Sequence, residues 1–304
     1  MKKTFIVLSL VFISIVVCAQ NLVVGSYNIR YDNNSDKEKG NGWEQRCPVQ
    51  IDLVKFYNFD VLGTQEVLHR QLNDLVSGLS EYNYVGVGRD DGKTKGEYAP
   101  IFYKEKRIKL LDSGHFWLSE ESTYPNKGWD AVLPRICTWA HFKDKKTKKK
   151  FWFFNLHMDH VGVIARRESA KLVLDKIQAM CKKEPVILTG DFNVDQTHES
   201  YDVLHDSGVF QDSFETAKVR YALNGTFNAF DVNLKTNSRI DHVFVSPTFT
   251  VERYGVLTDT YRSKTEDNGK VHAGDFPKEV SFEKYHVRLP SDHSPIYVEL
   301  KYNK

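Results

Sequence analysis

Pro185-Val186-Ile187-Leu188-Thr189-Gly190-Asp191-Phe192-Asn193 is the stretch whose reading decides the fold. Residues 185–188 are wholly apolar, as expected of a strand buried on both faces. Such a strand needs cover above and below. It also runs straight into an acid and an amide, so it carries polar chemistry to the end of a sheet. The same construction recurs along the chain. Residues 21–30 alternate apolar and polar and end in Asn28-Ile29-Arg30, and residues 60–66 form a short buried strand that ends in Glu66. Residues 137–142 and 151–157 read as two further strands, the second ending in His157, and residues 239–246 and 294–302 as two more. Strands rich in Tyr, Phe, Ile and Val are expected at 84–88, 99–103 and 108–118.

Helical spacing appears at 49–57, 70–79 and near 199–205. The strongest helix is 165–181, with Ala170, Val173, Leu174 and Ile177 forming its buried stripe. Residues 32–42 and 262–290 are polar without clear period and read as loops, the second ending beside Ser291-Asp292-His293. The lysine run 143–150 lies between two apolar strands, which makes it a solvated hairpin tip before it is a nucleic-acid contact.

Lys2-Lys3 precede an apolar run from Phe5 to Val17 and then Cys18-Ala19-Gln20, the pattern of a secretory signal peptide over residues 1–19. Val17 and Ala19 suit a cleavage site after Ala19, and the expected location is exported, periplasmic or secreted. Lipid attachment at Cys18 is the lesser alternative, because Val17 is bulky where a lipoprotein signal resembles Gly, Ala or Ser. Residues 20–304 contain no Pro/Gly/Ser-rich linker or repeat and read as one domain, expected to be monomeric with no stable membrane insertion. The whole sequence carries 42 Lys and Arg against 40 Asp and Glu; residues 1–19 hold two lysines and no acid, so the remainder has a formal charge of +2 − 2 = 0. That balance argues against a strongly basic nucleic-acid binder. Cys47, Cys137 and Cys181 are odd in number and far apart, and suggest neither a disulfide framework nor a zinc site.

Asn28, Glu66, His157, Asp191 with Asn193, Asp241, and Asp292 with His293 therefore gather at strand ends. Carboxylates, an amide and imidazoles at one sheet edge are what a hard metal ion and a phosphate require. Each has an ordinary alternative when taken alone. Asn28 can cap a loop, Glu66 can pair with Arg70, and either histidine can be a satisfied core residue. Recurrence at one kind of place favours the joint reading.

Six blocks in order, Ser26-Tyr27-Asn28-Ile29-Arg30, Gln65-Glu66-Val67, Asn155-Leu156-His157-Met158-Asp159-His160, Gly190-Asp191-Phe192-Asn193, Arg239-Ile240-Asp241-His242-Val243-Phe244 and Ser291-Asp292-His293-Ser294-Pro295, resemble the signatures of the DNase I-like endonuclease/exonuclease/phosphatase superfamily. The resemblance implies an α/β fold, a four-layered α/β/β/α sandwich of two mixed β-sheets flanked by helices. It implies Glu66, Asn28 and Asp292 as metal ligands for Mg²⁺ first, with Mn²⁺ or Ca²⁺ as alternatives. His293 matches the general base and Asp241 its orienting carboxylate. Asp191 and Asn193 match residues that position the attacking water and donate to the phosphate. His157 matches a contact to the scissile phosphate, and Arg30 is a candidate substrate contact. The implied activity is hydrolysis of a phosphate ester by an activated water. The leading substrate expectation is a phosphodiester, nuclease-like, with nucleic acid as a candidate partner. A phosphatase or phospholipase C-type enzyme on sugar or inositol phosphates or sphingolipid head groups is the alternative, and a non-catalytic binding protein on the same fold is a third.

Overall fold

A computed structural model describes residues 21–265, 270–271, 274–275, 277 and 279–303. The expected signal peptide 1–19, and with it Cys18, lies outside the described residues. In chain order the elements are β1 (Leu22–Asn28), α1 (Asn34–Glu38), α2 (Trp43–Tyr57), β2 (Val61–Gln65), α3 (His69–Gly78), β3 (Tyr82–Val85), β4 (Ile101–Lys104), β5 (Ile108–Trp117), β6 (Ile136–Asp144), β7 (Lys150–His157), α4 (Val163–Cys181), β8 (Val186–Asp191) and α5 (Glu199–His205). There follow β9 (Gln211–Asp212), α6 (Ser213–Thr216), β10 (Val219–Tyr221), β11 (Asp241–Val245), β12 (Phe249–Val256), β13 (Tyr261–Lys264), β14 (Lys270–Val271), β15 (Phe282–Glu283), β16 (Tyr285–Arg288) and β17 (Ile296–Tyr302).

The strands form two mixed sheets, one ordered β10-β12-β17-β1-β2-β4-β3 and the other β5-β6-β7-β8-β11-β9. Their inner faces meet in a core that includes Val24, Val61 and Ile101 from the first sheet and Phe142, Phe153 and Ile187 from the second. On the outside, α2 and α3 cover the first sheet through Leu53, Val54, Leu72 and Leu75 packed on Tyr27, Leu62 and Phe102. The helix α4 covers the second through Ala170, Val173 and Ile177 on Phe154 and Leu188. Both β2 and β8 are buried along their whole length because each has cover on two sides. Burying each of their Val, Leu and Ile side chains contributes roughly 1.5–3 kcal/mol before entropy is counted. This is the four-layered sandwich expected from the sequence.

Near the site edge the sheets are tied by polar groups. Asn155 donates to the carbonyls of Thr64 and Pro100 (2.7 and 3.1 Å) and accepts from Gln65 Nε2 (2.6 Å) and Thr189 Oγ1 (3.0 Å). Gly63 makes this approach possible, since a Cβ there would lie 2.3 Å from Thr189 Oγ1 and 2.4 Å from Asn155 Oδ1.

The structure corrects several local expectations. The segment 32–42 contains the short helix α1, capped by Asn33 Oδ1, which accepts from the Asp36 amide (2.9 Å). The helix α2 begins six residues before the periodicity at 49–57, with Pro48 inside it; the proline hid the start from sequence reading. The strand β12 was not legible in the sequence, because a bulge between Val251 and Arg253 breaks its alternation. The segment 262–290 is not wholly irregular, for β13 pairs with β16 and β14 with β15 as ribbons outside the two sheets. In the predicted stripe of α4, Leu174 is only half buried.

The lysine run does cap the β6–β7 hairpin. Asp144 accepts from the amides of Lys146 and Thr147 and from Arg107, and this fixes the turn. The tip stands at the opposite end of β7 from His157, seven steps of roughly 3.3 Å or about 23 Å away. It lies away from the edge where the polar residues gather. Cys47, Cys137 and Cys181 are free thiols, and no helix of the described residues is long and apolar enough to cross a membrane.

Candidate active site

The ends of β1, β2, β7 and β8 lie at one edge, because β1 runs parallel to β2 and β7 parallel to β8. The strand β11 is antiparallel to β8 and starts at Asp241, directly opposite Asp191. The strand β17 is antiparallel to β1, so Asp292 and His293, just before it, come to the same edge. Strand direction thus turns two strand starts and four strand ends into one cluster.

Asn28 is fully buried at its centre. Its Nδ2 donates to Glu66 Oε1 (3.0 Å) and Asp191 Oδ2 (2.9 Å) and lies 3.5 Å from His293 Nε2, while its Oδ1 accepts from the Arg30 amide (3.0 Å). As placed, the amide ties the two carboxylates together; to offer its oxygen as a ligand it would have to turn about its last bond. Glu66 Oε2 accepts from the Tyr31 amide (3.0 Å). Arg30, Glu66 and Asn193 all hold left-handed backbone, φ 60°, 59° and 51°. For non-glycine residues this costs on the order of 1 kcal/mol each, and such strain collects at sites that require an unusual side-chain direction.

His293 Nδ1 meets Asp241 Oδ2 at 2.8 Å, and its Nε2 stands 3.7 Å from Asp191 Oδ2. Phe227 packs edge-on against the ring at 5.1 Å, and the Asp241 amide donates to Thr226 Oγ1. Asp191 Oδ1 accepts from the Asn193 amide (2.9 Å), and Asn193 Nδ2 donates to the Met158 carbonyl (3.0 Å). His157 faces Asp191 Oδ2 through Nε2 and Glu97 Oε2 through Nδ1, both at 3.6 Å.

Arg30 is partly exposed in the same pocket. It bonds Asp36 at 2.7 Å and reaches Asp292 Oδ2 at 3.4 Å and Glu66 Oε2 at 4.0 Å. Asp292 is therefore next to Glu66, but with the Arg30 guanidinium between them. The structure thus brings all nine residues singled out in the sequence to one pocket edge. Sequence reasoning missed Glu97, Arg135, Phe227 and Arg46. The first three line the same cavity of about 860 Å³. Arg46, fully buried, donates to the carbonyls of Ile29, Arg30, Asn41 and Pro290 and so fixes the turns that carry Arg30 and Asp292. None of these four lies in a signature block, and their partners are too remote in sequence to leave a local pattern.

The electrostatics follow from crowding. Burial, then the charge of Asp241, push the Asp191 carboxyl up to about 7. Burial and the neighbouring Glu66 hold Asp292 above the usual carboxylate range, against the pull of His293 and Arg30. Burial lowers the His293 pKa, but the carboxylates of Asp241 and Asp191 outweigh it and hold the imidazole well above its ordinary value. His157 goes the other way: burial, then Arg135 and Arg89, hold it well below, so its ring is neutral. Carboxylate oxygens of Glu66 and Asp191 converge with His157 nitrogen within 4.8 Å of one another. Buried, mutually repelling oxygen donors of this kind fit a hard divalent cation.

A family model described as "Endonuclease/Exonuclease/phosphatase family" matches residues 25–293. The chain belongs to that family. Members of the endonuclease/exonuclease/phosphatase family are phosphoester hydrolases, which fits an edge of carboxylates and imidazoles. Among solved structures, the chain is similar to a mannosyl-6-phosphatase of Bacteroides thetaiotaomicron VPI-5482, with 54% identity, a TM-score of 0.86, and coverage of 92% of this chain and 100% of that one. It is also similar to another endonuclease/exonuclease/phosphatase family protein of Bacteroides thetaiotaomicron, at 53% identity and TM-score 0.87 over 93% and 98% of the two chains. An uncharacterized protein of Acanthamoeba polyphaga mimivirus is 30% identical over 161 residues, 50% of this chain and 60% of that protein. For a second mimivirus protein the matched share is 27% of its length, so the chain spans less than two thirds of these two relatives.

Proposed function

We propose that the chain is a divalent-metal-dependent phosphomonoesterase acting on a sugar phosphate. The observation that carries this reading is the pocket: a cavity of about 860 Å³ with Glu66, Asp191, His157 and His293 at its wall and Tyr31, Phe227, Phe230 and Leu133 beside them. Charge on one part of the wall and rings on another suit a phosphate joined to a small polar ring. The 54% identity to a mannosyl-6-phosphatase supports the same class. The nuclease-like reading of a phosphodiester substrate, the leading expectation from the sequence, becomes second. The distance of the lysine hairpin from the pocket and the zero formal charge outside residues 1–19 both weigh against it.

In this proposal His293 accepts the proton of the attacking water, and Asp241 holds the imidazole in the tautomer that can do so. Asp191 and Asn193 orient the water, and neutral His157 donates to a phosphoryl oxygen. Glu66, held by Asn28, and Asp292, both within reach of Arg30, would hold the cation, with Mg²⁺ the first choice and Mn²⁺ or Ca²⁺ the alternatives. What a divalent cation supplies there when bound is stabilisation of the negative charge gathering on phosphoryl and leaving oxygens.

A substrate panel tests this: mannose 6-phosphate, other sugar and inositol phosphates, bis(p-nitrophenyl) phosphate, plasmid DNA, RNA and sphingomyelin, each with Mg²⁺, Mn²⁺, Ca²⁺ or chelator. The expected result is release of inorganic phosphate from sugar monoesters, lost with chelator. Cleavage of DNA or the diester with none from any monoester would restore the nuclease reading.

We further propose export, with cleavage after Ala19, on the basic start and apolar run of residues 1–19. Terminal sequencing of the protein recovered from an envelope fraction should begin at Gln20. A chain recovered from the cytoplasm with Met1 intact would refute export.

A further inference from the structure

The turn between α1 and α2 reaches the cavity through Lys39 and Asn41, and an arginine from the ribbon outside the two sheets holds it there. Arg288, at the end of β16, donates from Nη1 to the Lys39 carbonyl and to Asn41 Oδ1 (both 3.0 Å), and from Nε to Ser263 Oγ on β13 (2.7 Å). Gly40 admits the guanidinium. Its φ is +76°, and a Cβ there would lie 2.4 Å from Arg288 Nη2. A guanidinium has only donors, so the Asn41 amide must turn its oxygen to Arg288 and keeps Nδ2 to offer elsewhere. That nitrogen has no partner among the described residues and, unlike the unpartnered Nη1 of Arg135, it is open to solvent.

Arg46 ties this turn to the loop before β11. Its Nε donates to the Asn41 carbonyl (2.8 Å), and its Cζ stands 5.6 Å from the centre of the Phe230 ring, which lines the same cavity. Ala229 and Phe230 are consecutive non-glycine residues in left-handed backbone, φ 52° and 60°, with the Asp292 carbonyl accepting from the Asn228 and Ala229 amides (2.8 and 3.2 Å). Such strain persists only where the surroundings enforce it. The turn also stands beyond the carboxylate cluster. Arg30 reaches Glu66 at 4.0 Å and Asp36 at 2.7 Å, and the Asp36 carbonyl accepts from the Asn41 amide (2.8 Å). A phosphoryl group at the cluster can therefore carry its ester substituent toward an uncharged amide donor with an aromatic ring beside it. That pairing suits a sugar, whose C–H face packs on a ring while a hydroxyl oxygen accepts from the amide.

We propose that Arg288 is a positioning residue that presents Asn41 Nδ2 to a hydroxyl of the substrate's sugar, so that the 39–41 turn and Phe230 select sugar phosphates among phosphomonoesters. The proposal rests on the phosphomonoesterase reading above.

Steady-state kinetics of the full-length wild type, Asn41→Ala, Arg288→Gln and the double variant check this on two monoesters under one set of metal conditions. One is mannose 6-phosphate; the other is p-nitrophenyl phosphate, whose substituent has a ring but no hydroxyl. On mannose 6-phosphate KM should rise about three- to tenfold in Asn41→Ala, the order of one neutral hydrogen bond, with kcat within about twofold. Arg288→Gln should shift KM in the same direction and by less, and the double variant should match Asn41→Ala alone, because Arg288 acts through Asn41. On p-nitrophenyl phosphate KM should stay within about twofold in all three. Partial unfolding lowers kcat on both esters alike and does not move KM, so a merely structural role for Arg288 gives a different result. Equal KM shifts on both esters, an unmoved KM on mannose 6-phosphate, or losses that multiply in the double variant would overturn the assignment. If the wild type releases phosphate from no monoester, the phosphomonoesterase reading fails and this proposal with it. If it hydrolyses p-nitrophenyl phosphate but no sugar phosphate, only the sugar wall fails.

Discussion

His293→Ala should lower kcat on a phosphomonoester by about 10²–10⁴, the usual worth of a positioned general base. The ring is buried, its Nδ1 meets Asp241 at 2.8 Å, and its Nε2 is left to face Asp191 and the pocket. Among the described residues the Asp241 carboxylate makes its one side-chain hydrogen bond to this ring, so its loss and that of His293 should not add. Asp241→Asn should cost less than His293→Ala, and the double variant should match His293→Ala alone. Multiplicative losses would place the base elsewhere.

The sign of the pH dependence follows from the same geometry. A base must be unprotonated, and Asp241 and Asp191 raise the imidazole pKa, so the proton is held to higher pH and activity falls as pH drops through that value. Asp191, pushed up to about 7, must also be ionised to orient water, and adds a second proton to the same limb. The slope of log kcat/KM on the acid side should therefore fall from two toward one in His293→Ala. An unaltered slope would assign the whole limb to groups other than His293.

The second large effect is expected at Glu66. Glu66→Gln should keep the fold, because Gln preserves volume and its one carbonyl oxygen can still accept from either Asn28 or the Tyr31 amide, yet it removes the charge a hard cation requires. Activity at ordinary Mg²⁺ should drop by on the order of 10² or more, with partial recovery at high metal concentration. Calorimetry with Mg²⁺ or Mn²⁺ gives a readout independent of turnover: the wild type should bind and the variant bind much more weakly. Full activity of Glu66→Gln in chelator would remove metal dependence from the proposal. Gln meets the same backbone demand as Glu at the left-handed residue 66, so the substitution adds no strain of its own to the turn.

Much of this protein is written locally. The apolar run before Gly190-Asp191 fixed a strand needing cover on both faces, and the period of residues 165–181 fixed the helix that provides it. Because β-strands have a side-chain period of two and helices one near 3.6, such patterns survive in the sequence whatever the neighbours are. The six short blocks, read through the resemblance, likewise marked the nine site residues, since a polar side chain at the end or start of an apolar strand is visible without a partner. What failed was local interruption: Pro48 concealed the first turn of α2, and the bulge at Val251/Arg253 concealed β12.

Only the tertiary structure decided who faces whom. Asn28 and Asp191 are 163 residues apart and meet at 2.9 Å through the packing of two sheets. No periodicity encodes that contact, nor that the Asn28 amide points its nitrogen at the carboxylates and Arg30 sits between Glu66 and Asp292. The buried arginines were equally silent in the sequence. Arg46 is satisfied by four carbonyls and Arg135 is short of one acceptor, and an arginine's letter is the same in both cases. The cost of an unmet hydrogen bond depends on removal from water, which exists only once the chain has closed around the group.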